Sequence, residues 1–185
     1  MGRVFAEIDT SLRSFIEAQQ MFFVGTAPLS AAGHVNLSPK GLDSLRVLDT
    51  RTLAYLDHVG SGAETIAHLR ENGRIIIMFC AFQGPPRILR LHGRGEAFEP
   101  IDVEYAPLRG MFPPVPTGRA IIRVSIDRIS DSCGHGVPLY SFEAQRSLIP
   151  AWADRKGEDG LAEYQKLKNR ESIDALPALR WVEQP

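Results

Sequence analysis

Only two of the 185 residues are cysteine, Cys80 and Cys133, and neither belongs to a C-x-x-C pair. A disulfide-stapled scaffold is therefore excluded, and the sparing use of thiols leads us to expect a reducing, cytoplasmic compartment. An excess of charge of one sign is also missing: 21 Lys and Arg against 22 Asp and Glu leave a net charge of −1. No strong basic field exists to draw nucleic acid or an anionic membrane, so a small molecule is the expected partner. Long apolar runs are absent too. The longest, Ile75 to Phe82, falls far short of the ~20 residues that span a bilayer and reads as a buried strand. The first turns mix Glu7, Asp9 and Arg13 without an apolar core, so no secretory or transit peptide is expected. Ala6 stands where a myristoylation signal needs Ser or Thr. The five histidines follow no metal-ligand spacing, and no G-x-S-x-G elbow or P-loop occurs; no metal is expected.

What remains is ordinary globular composition, 44% apolar and 23% charged, without repeats or low-complexity tracts. At this length one domain over residues 1–185 is expected. Gly and Pro punctuate short segments suited to a mainly β architecture with helical additions. Val4 to Gln19 carries apolar residues at helical spacing and predicts a helix. Phe22 to Thr26, Val35 to Lys40, Leu45 to Leu48 and Thr52 to Leu56 read as consecutive antiparallel strands. Ser61 to Glu71 predicts a second helix, with Ser61 and Glu64 as a capping box and Asn72-Gly73 as its stop. Arg74 to Phe82 and Arg87 to Phe98 return as strands joined through Gln83-Gly84-Pro85-Pro86. Tyr105 to Met111 suggests a short helix, Phe112 to Gly118 a loop, and Ala120 to Ile129 a last long strand. Six or seven short strands imply a barrel. Beyond Asp131 come a Gly-rich turn, Cys133 to Pro138, and a helical tail holding Trp152, Leu161, Tyr164 and Leu167. The tail needs a surface to pack on, its own barrel or a partner.

Two segments carry polar groups in patterns that suit a ligand. In Asn36-Leu37-Ser38-Pro39-Lys40, the period of a strand sends Asn36, Ser38 and Lys40 to one face. In Tyr55-Leu-Asp57-His58-Val-Gly-Ser61-Gly62-Ala63-Glu64, a strand end, a Gly-rich turn and a helix start follow one another. Free backbone N–H groups and the helix dipole there favour a phosphate, although a well-capped helix after a tight turn reads the same way. Gly60 and Gly62 lack the third glycine of a dinucleotide fingerprint.

Taken in order, Phe23 to Phe98, with NLSPKG, RTLAYLDHVGSGAETIAHLRENGRIIIMF and RILRLHGRGEAF, resembles the flavin-binding split barrel of the pyridoxamine 5'-phosphate oxidase superfamily. The later CGHGVPLY and its tail resemble an uncharacterised branch rather than the vitamin B6 oxidase itself. The resemblance implies an FMN-binding split barrel, an antiparallel six- to seven-stranded Greek-key barrel with flanking helices, working as a homodimer with FMN at the subunit interface. Carried over by position, Asn36, Leu37, Ser38, Pro39 and Lys40 would line the isoalloxazine ring. Tyr55, Asp57 and His58 would approach the ribityl chain, and Ser61, Gly62 and Ala63 would meet the phosphate. The oxidase carries an Arg-Lys pair where this chain has Gly62 and Ala63, so Lys40, Arg87 or Arg90 would have to meet the phosphate charge. Cys133 and Gly134 would lie near a flavin, that of the neighbouring chain included. The implied function is an FMN-dependent oxidoreductase moving hydride or electrons to or from an unidentified small molecule, with no catalytic residue assigned. The alternatives are a non-catalytic flavin- or haem-binding protein for storage, sensing or haem breakdown, and a deazaflavin-dependent reductase.

Overall fold

The computed structural model describes residues 2–183. Its centre is one antiparallel sheet of β1 (Val4–Phe5), β2 (Phe22–Thr26), β3 (Asn36–Lys40), β4 (Leu45–Val47), β5 (Thr52–His58), β6 (Arg74–Cys80), β7 (Ile88–Phe98) and β8 (Gly118–Ser132). The strands lie in the order β3-β2-β6-β7-β8-β5-β4, with β1 added against β8. The runs read as consecutive neighbours are therefore two hairpins, β2–β3 and β4–β5, with β3 and β4 at opposite ends of the path.

That order forces the sheet to curl. Laid flat, seven strands would span about 29 Å at ~4.8 Å each. The five Cα steps from Lys40 to Leu45 reach at most ~18 Å. The two edges must therefore approach, and Lys40 at the end of β3 touches Asp57 on β5, at 2.7 Å. A half-barrel closed by the chain itself results. Leu53, Tyr55, Ile77, Leu89, Leu91, Ile122 and Val124 fill its interior at full burial, and the Phe22 and Tyr55 rings meet edge to face at 5.5 Å.

The first helix is shorter than the periodicity of Val4 to Gln19 suggests. α1 (Thr10–Glu17) begins only after Asp9, whose carboxylate accepts from the Leu12 N–H at 2.7 Å, and its Leu12 and Ile16 enter the core. Val4 and Phe5 pair instead with Ser130 and Ile129. The apolar spacing before Asp9 belongs to a strand, because a cap fixes where a helix begins more sharply than a hydrophobic stripe does. α2 (Glu64–Asn72) plugs one mouth of the barrel with Ile66, Ala67 and Leu69. It stops at Gly73, whose φ of 68° is the left-handed conformation a C-terminal glycine supplies. The Ser61–Glu64 capping box does not form: Ala63 occupies the N-cap position, without a side-chain cap.

α3 (Tyr105–Arg109) covers a smaller core of Ala54, Leu56, Phe98, Leu108, Phe112 and Ile121. α4 (Leu148–Lys168) is two helical pieces meeting at Gly157, where φ is 66° and ψ 175°. Only Ala153, Leu161 and Gln165 of α4 are buried, and Trp152 packs on Tyr164 at 5.0 Å. The segment after it returns to the barrel, placing Ala178, Leu179 and Val182 in the main core. The tail thus does fold back on its own barrel, chiefly through the stretch that follows α4, while Leu148 and Leu167 stay exposed.

Candidate functional site

A cleft of about 370 Å³ opens between β3, the end of β5 and the start of α2, with Asn36, Ser38, Lys40, His58, Ser61 and Arg119 on its walls. The alternation of β3 turns Asn36, Ser38 and Lys40 inward, and Leu37 and Pro39 point to the opposite face. Arg119 arrives by a different route. On β5 and β8, Asp57 pairs with Ala120 but His58 with Gly118, so Arg119 is the extra residue of a bulge and its side chain is re-aimed into the cleft.

At the back of the cleft Asp57 has no solvent exposure. Burial alone would raise its pKa, but the adjacent Arg119 and Lys40 charges hold the carboxyl far below the usual carboxylate range. Lys40 Nζ donates to Oδ1 at 2.7 Å and Arg119 Nε to Oδ2 at 2.8 Å. Two cations sharing one carboxylate leave a net positive charge. Arg119 is 5% exposed, and its Nη1 is buried without a partner. His58 is pushed below the ordinary histidine pKa, chiefly by burial. Its Nδ1 meets Thr117 Oγ1 at 2.8 Å, while Nε2 is buried and unpartnered.

A second polar chain holds the other wall. Ser38 donates to Asn36 Oδ1 at 3.0 Å, and Asn36 Nδ2 donates to Thr26 and Thr65 at 3.1 and 3.0 Å. Thr26 in turn meets His68 Nδ1 at 2.9 Å inside the barrel. The side chain of Glu64 curls over the start of α2: a Cβ on Gly62 would lie 2.2 Å from Glu64 Oε2, and Oε1 accepts from the Ile173 N–H at 3.3 Å. Gly62 makes room for that carboxylate.

The structure thus gathers Asn36, Ser38, Lys40, His58, Ser61 and Gly62 around one cleft, with Pro39 bordering it although its ring turns to the other face of β3, and Asp57 behind it. Tyr55 and Ala63 are buried behind the wall, and burial raises the Tyr55 phenol well above its ordinary pKa. Arg90, Cys133 and Gly134 lie elsewhere. Arg90 sits on β7, three strands from β3, and donates to Ser132 at 2.9 Å. Cys133 borders a separate hollow with Arg3, Arg87 and Asp131. Gly134, at φ 67°, packs against the Arg87 backbone. Arg87 pairs with Asp131 at 2.9 Å and stacks over Phe15, so neither it nor Arg90 reaches the cleft. Sequence reasoning missed Arg119 and Glu64 as cleft residues. A bulge leaves no mark in hydrophobic alternation, and Glu64 reads as the acid of a capping box with Ser61.

This half-barrel, with its polar cleft beside a helix start, is that of the pyridoxamine 5'-phosphate oxidase class. The family model "Pyridoxamine 5'-phosphate oxidase" matches residues 8–133. The chain is 38% identical over 194 residues to the pyridoxamine 5'-phosphate oxidase family protein ustO of Aspergillus flavus, covering 95% of this chain and 77% of that one. Among solved structures, HupZ of Group A Streptococcus superposes with a TM-score of 0.53 at 20% identity, over 73% of this chain and 99% of that one. A second structure, of a single-residue variant of HupZ, gives 0.51 at 22% identity, over 68% and 99%. The chain belongs to the pyridoxamine 5'-phosphate oxidase family.

Proposed function

We propose that this chain is an FMN-dependent oxidoreductase, cytoplasmic and homodimeric, acting on a small molecule. The observation that carries the reading is the polar cleft lined by Lys40, His58, Ser61 and Arg119, two of whose residues keep a buried nitrogen without a partner, Arg119 Nη1 and His58 Nε2. A buried donor without a partner costs about 1–3 kcal/mol, so a cleft that holds them suits an anionic or polar ligand. The residues present fit FMN. Arg119, with Lys40 beside it and the Ser61 hydroxyl, would take the role of the missing Arg-Lys pair at the phosphate, and Asn36 and Ser38 offer polar groups along the ring. Glu64 must keep its carboxylate turned toward Ile173 for an anion to sit at the start of α2. FMN supplies the hydride or electron chemistry when bound. The chain's own part is to bind and orient it: Asp57 holds Lys40 and Arg119 in place, and neutral His58 adds a hydrogen-bonding group without further charge. The single anion site favours FMN over FAD.

The outer face of the sheet supports the dimer. Phe23, Ile76 and Met78, partly buried, and Leu37, 66% exposed, stand in adjacent register on β2, β6 and β3, an apolar stripe that a second copy would cover. Free Cys80 and Cys133 suit a reducing compartment. Among the described residues no helix is long and apolar enough to cross a membrane.

The test is a flavin titration of the purified protein, followed by absorbance and fluorescence quenching. FMN is expected to bind more tightly than FAD, and Arg119→Gln and Lys40→Ala to weaken it about 10- to 100-fold, the worth of a charge-assisted hydrogen bond. FAD binding much more tightly than FMN, or no flavin binding at all, would overturn the reading.

A further inference from the structure

On the other side of Lys40 lies a larger cavity, about 650 Å³, whose rim includes Phe82, Tyr140, Phe142, Leu148, Ile149 and Arg146. It shares Pro39 and Lys40 with the polar cleft, so the two hollows meet at the end of β3. Its outer wall is the stretch 139–149, which has no regular structure before Ser147 and is held by a few specific contacts. Tyr140 donates its N–H to the Phe82 carbonyl at 2.9 Å, and the two rings lie 5.5 Å apart. Gln145 accepts from the Leu42 N–H at 3.2 Å and donates to the Gln20 carbonyl at 3.1 Å. Gly41 lets Gln145 come close, since a Cβ there would lie 3.1 Å from its Oε1. At the same turn Leu42 and Asp43 hold φ values of 63° and 54°, a left-handed conformation uncommon for side-chain-bearing residues and one that collects at ligand sites.

The wall exposes apolar surface into a concave space: Tyr140 is 63% exposed, Phe142 48% and Leu148 68%. The charges on the cavity are Lys40 and Arg146, and no acidic residue lines it. Lys40 shares the Asp57 carboxylate with Arg119, whereas Arg146 forms no ion pair among the described residues. The cavity therefore carries an excess of positive charge, and the unpaired guanidinium of Arg146 is the part of it that stands beside the aromatic walls.

We propose that this cavity is the substrate pocket, and that it takes a planar, hydrocarbon-rich molecule bearing one acid group. The aromatic body lies against Phe82, Tyr140 and Phe142, and the acid group pairs with Arg146. The part of the ligand nearest Lys40 then faces the polar cleft. As a substrate site the proposal rests on the flavin reading; as a binding site for an aromatic acid it stands on this cavity alone. An apolar wall carrying one cation discriminates by charge, because an ammonium ligand would meet Arg146 without any carboxylate to offset it.

Calorimetry with 2-naphthoate as the probe, in the presence and absence of FMN, tests the inference on the full chain. One 2-naphthoate per chain is expected, with 2-naphthylmethylammonium at least about tenfold weaker. Arg146→Gln and Phe142→Ala are each expected to weaken 2-naphthoate by about tenfold or more, and Arg155→Gln, an exposed arginine elsewhere on α4, to leave it unchanged. Arg146 and Phe142 are both exposed, so their replacement leaves the core intact. Equal binding of the anionic and cationic probes, or full affinity in Arg146→Gln, would overturn the proposal. So would a cavity open to 2-naphthoate only after Phe142→Asp dissociates a dimer, since a second copy would then be its occupant. If FMN binds and 2-naphthoate does not, the pocket falls and the flavin reading stands. If 2-naphthoate binds through Arg146 and no flavin binds, the acid site stands and the flavin reading falls.

Discussion

At the scale of single residues, Asp57 organises the cleft. It is fully buried and accepts from both Lys40 and Arg119, so it belongs to the class of buried charges whose removal strands their partners. Asp57→Asn is expected to lower the unfolding free energy by about 3–5 kcal/mol, read from urea denaturation at pH 7. The pH dependence follows from the same shift. The Asp57 pKa is lower folded than unfolded, so its contribution is complete above the unfolded value of ~3.9 and is lost as pH falls below it. The histidines act at higher pH. Burial lowers both His58 and His68, the unfolded chain therefore binds protons that the folded chain refuses, and stability falls as pH drops below ~6.5. His68→Gln is expected to flatten the decline in unfolding free energy between pH 7 and pH 5; an unchanged slope would mean that His68 titrates alike in both states.

At the scale of elements, the C-terminal segment is fastened by one carboxylate. Glu99, just after β7, is fully buried and accepts from the backbone N–H groups of Arg180 and Trp181 at 2.8 and 3.1 Å. Arg70 of α2 and the Arg180 side chain also pair with it, and Arg180 reaches Asp102. α2, β7 and the C-terminal turn are thereby tied at one point, which places Leu179 and Val182 in the core. Glu99→Ala is expected to cost about 3 kcal/mol, the lower end of the range for breaking a buried pair because Arg70 and Arg180 remain partly hydrated. Limited proteolysis checks the location of the effect: cleavage after Arg170 or Arg180 should appear in the variant before the barrel is cut.

At the scale of the whole molecule, the proposed dimer rests on the partly exposed outer face of the sheet. Phe23, Ile76 and Met78 sit on central strands, where no edge contact can shield them, and β3 extends the stripe with Leu37. Burying such a face against its twin is favourable at roughly 25 cal/mol per Å² of apolar area, and obligate dimers commonly bury more than about 2,000 Å². Met78→Asp is expected to convert a dimer into a monomer in sedimentation velocity at micromolar concentration, with the barrel's circular dichroism retained. A wild-type chain that sediments as a monomer with flavin bound would remove the dimer from the model.

Much of this was legible from local pattern. The alternation of β2, β3 and β7, the stop of α2 at Asn72-Gly73 and the inward set Asn36, Ser38 and Lys40 all follow from periods and turn chemistry that act over a few residues. The order of motifs between Phe23 and Phe98 was enough to indicate the family. Other features depend on partners far along the chain. Val4 and Phe5 have helical spacing but become a strand because β8 offers a free edge 124 residues later. Ser61 loses the N-cap to Ala63, and Glu64 turns instead toward Ile173, a residue of the returning tail. Arg119 enters the cleft only because a bulge forms where β8 meets β5, and its charge acquires a role only because Asp57, 62 residues earlier, is buried beside it. Local sequence sets which groups share a face; the separation of β3 and β4 across a seven-strand path, rejoined by a five-step connection, sets which faces meet.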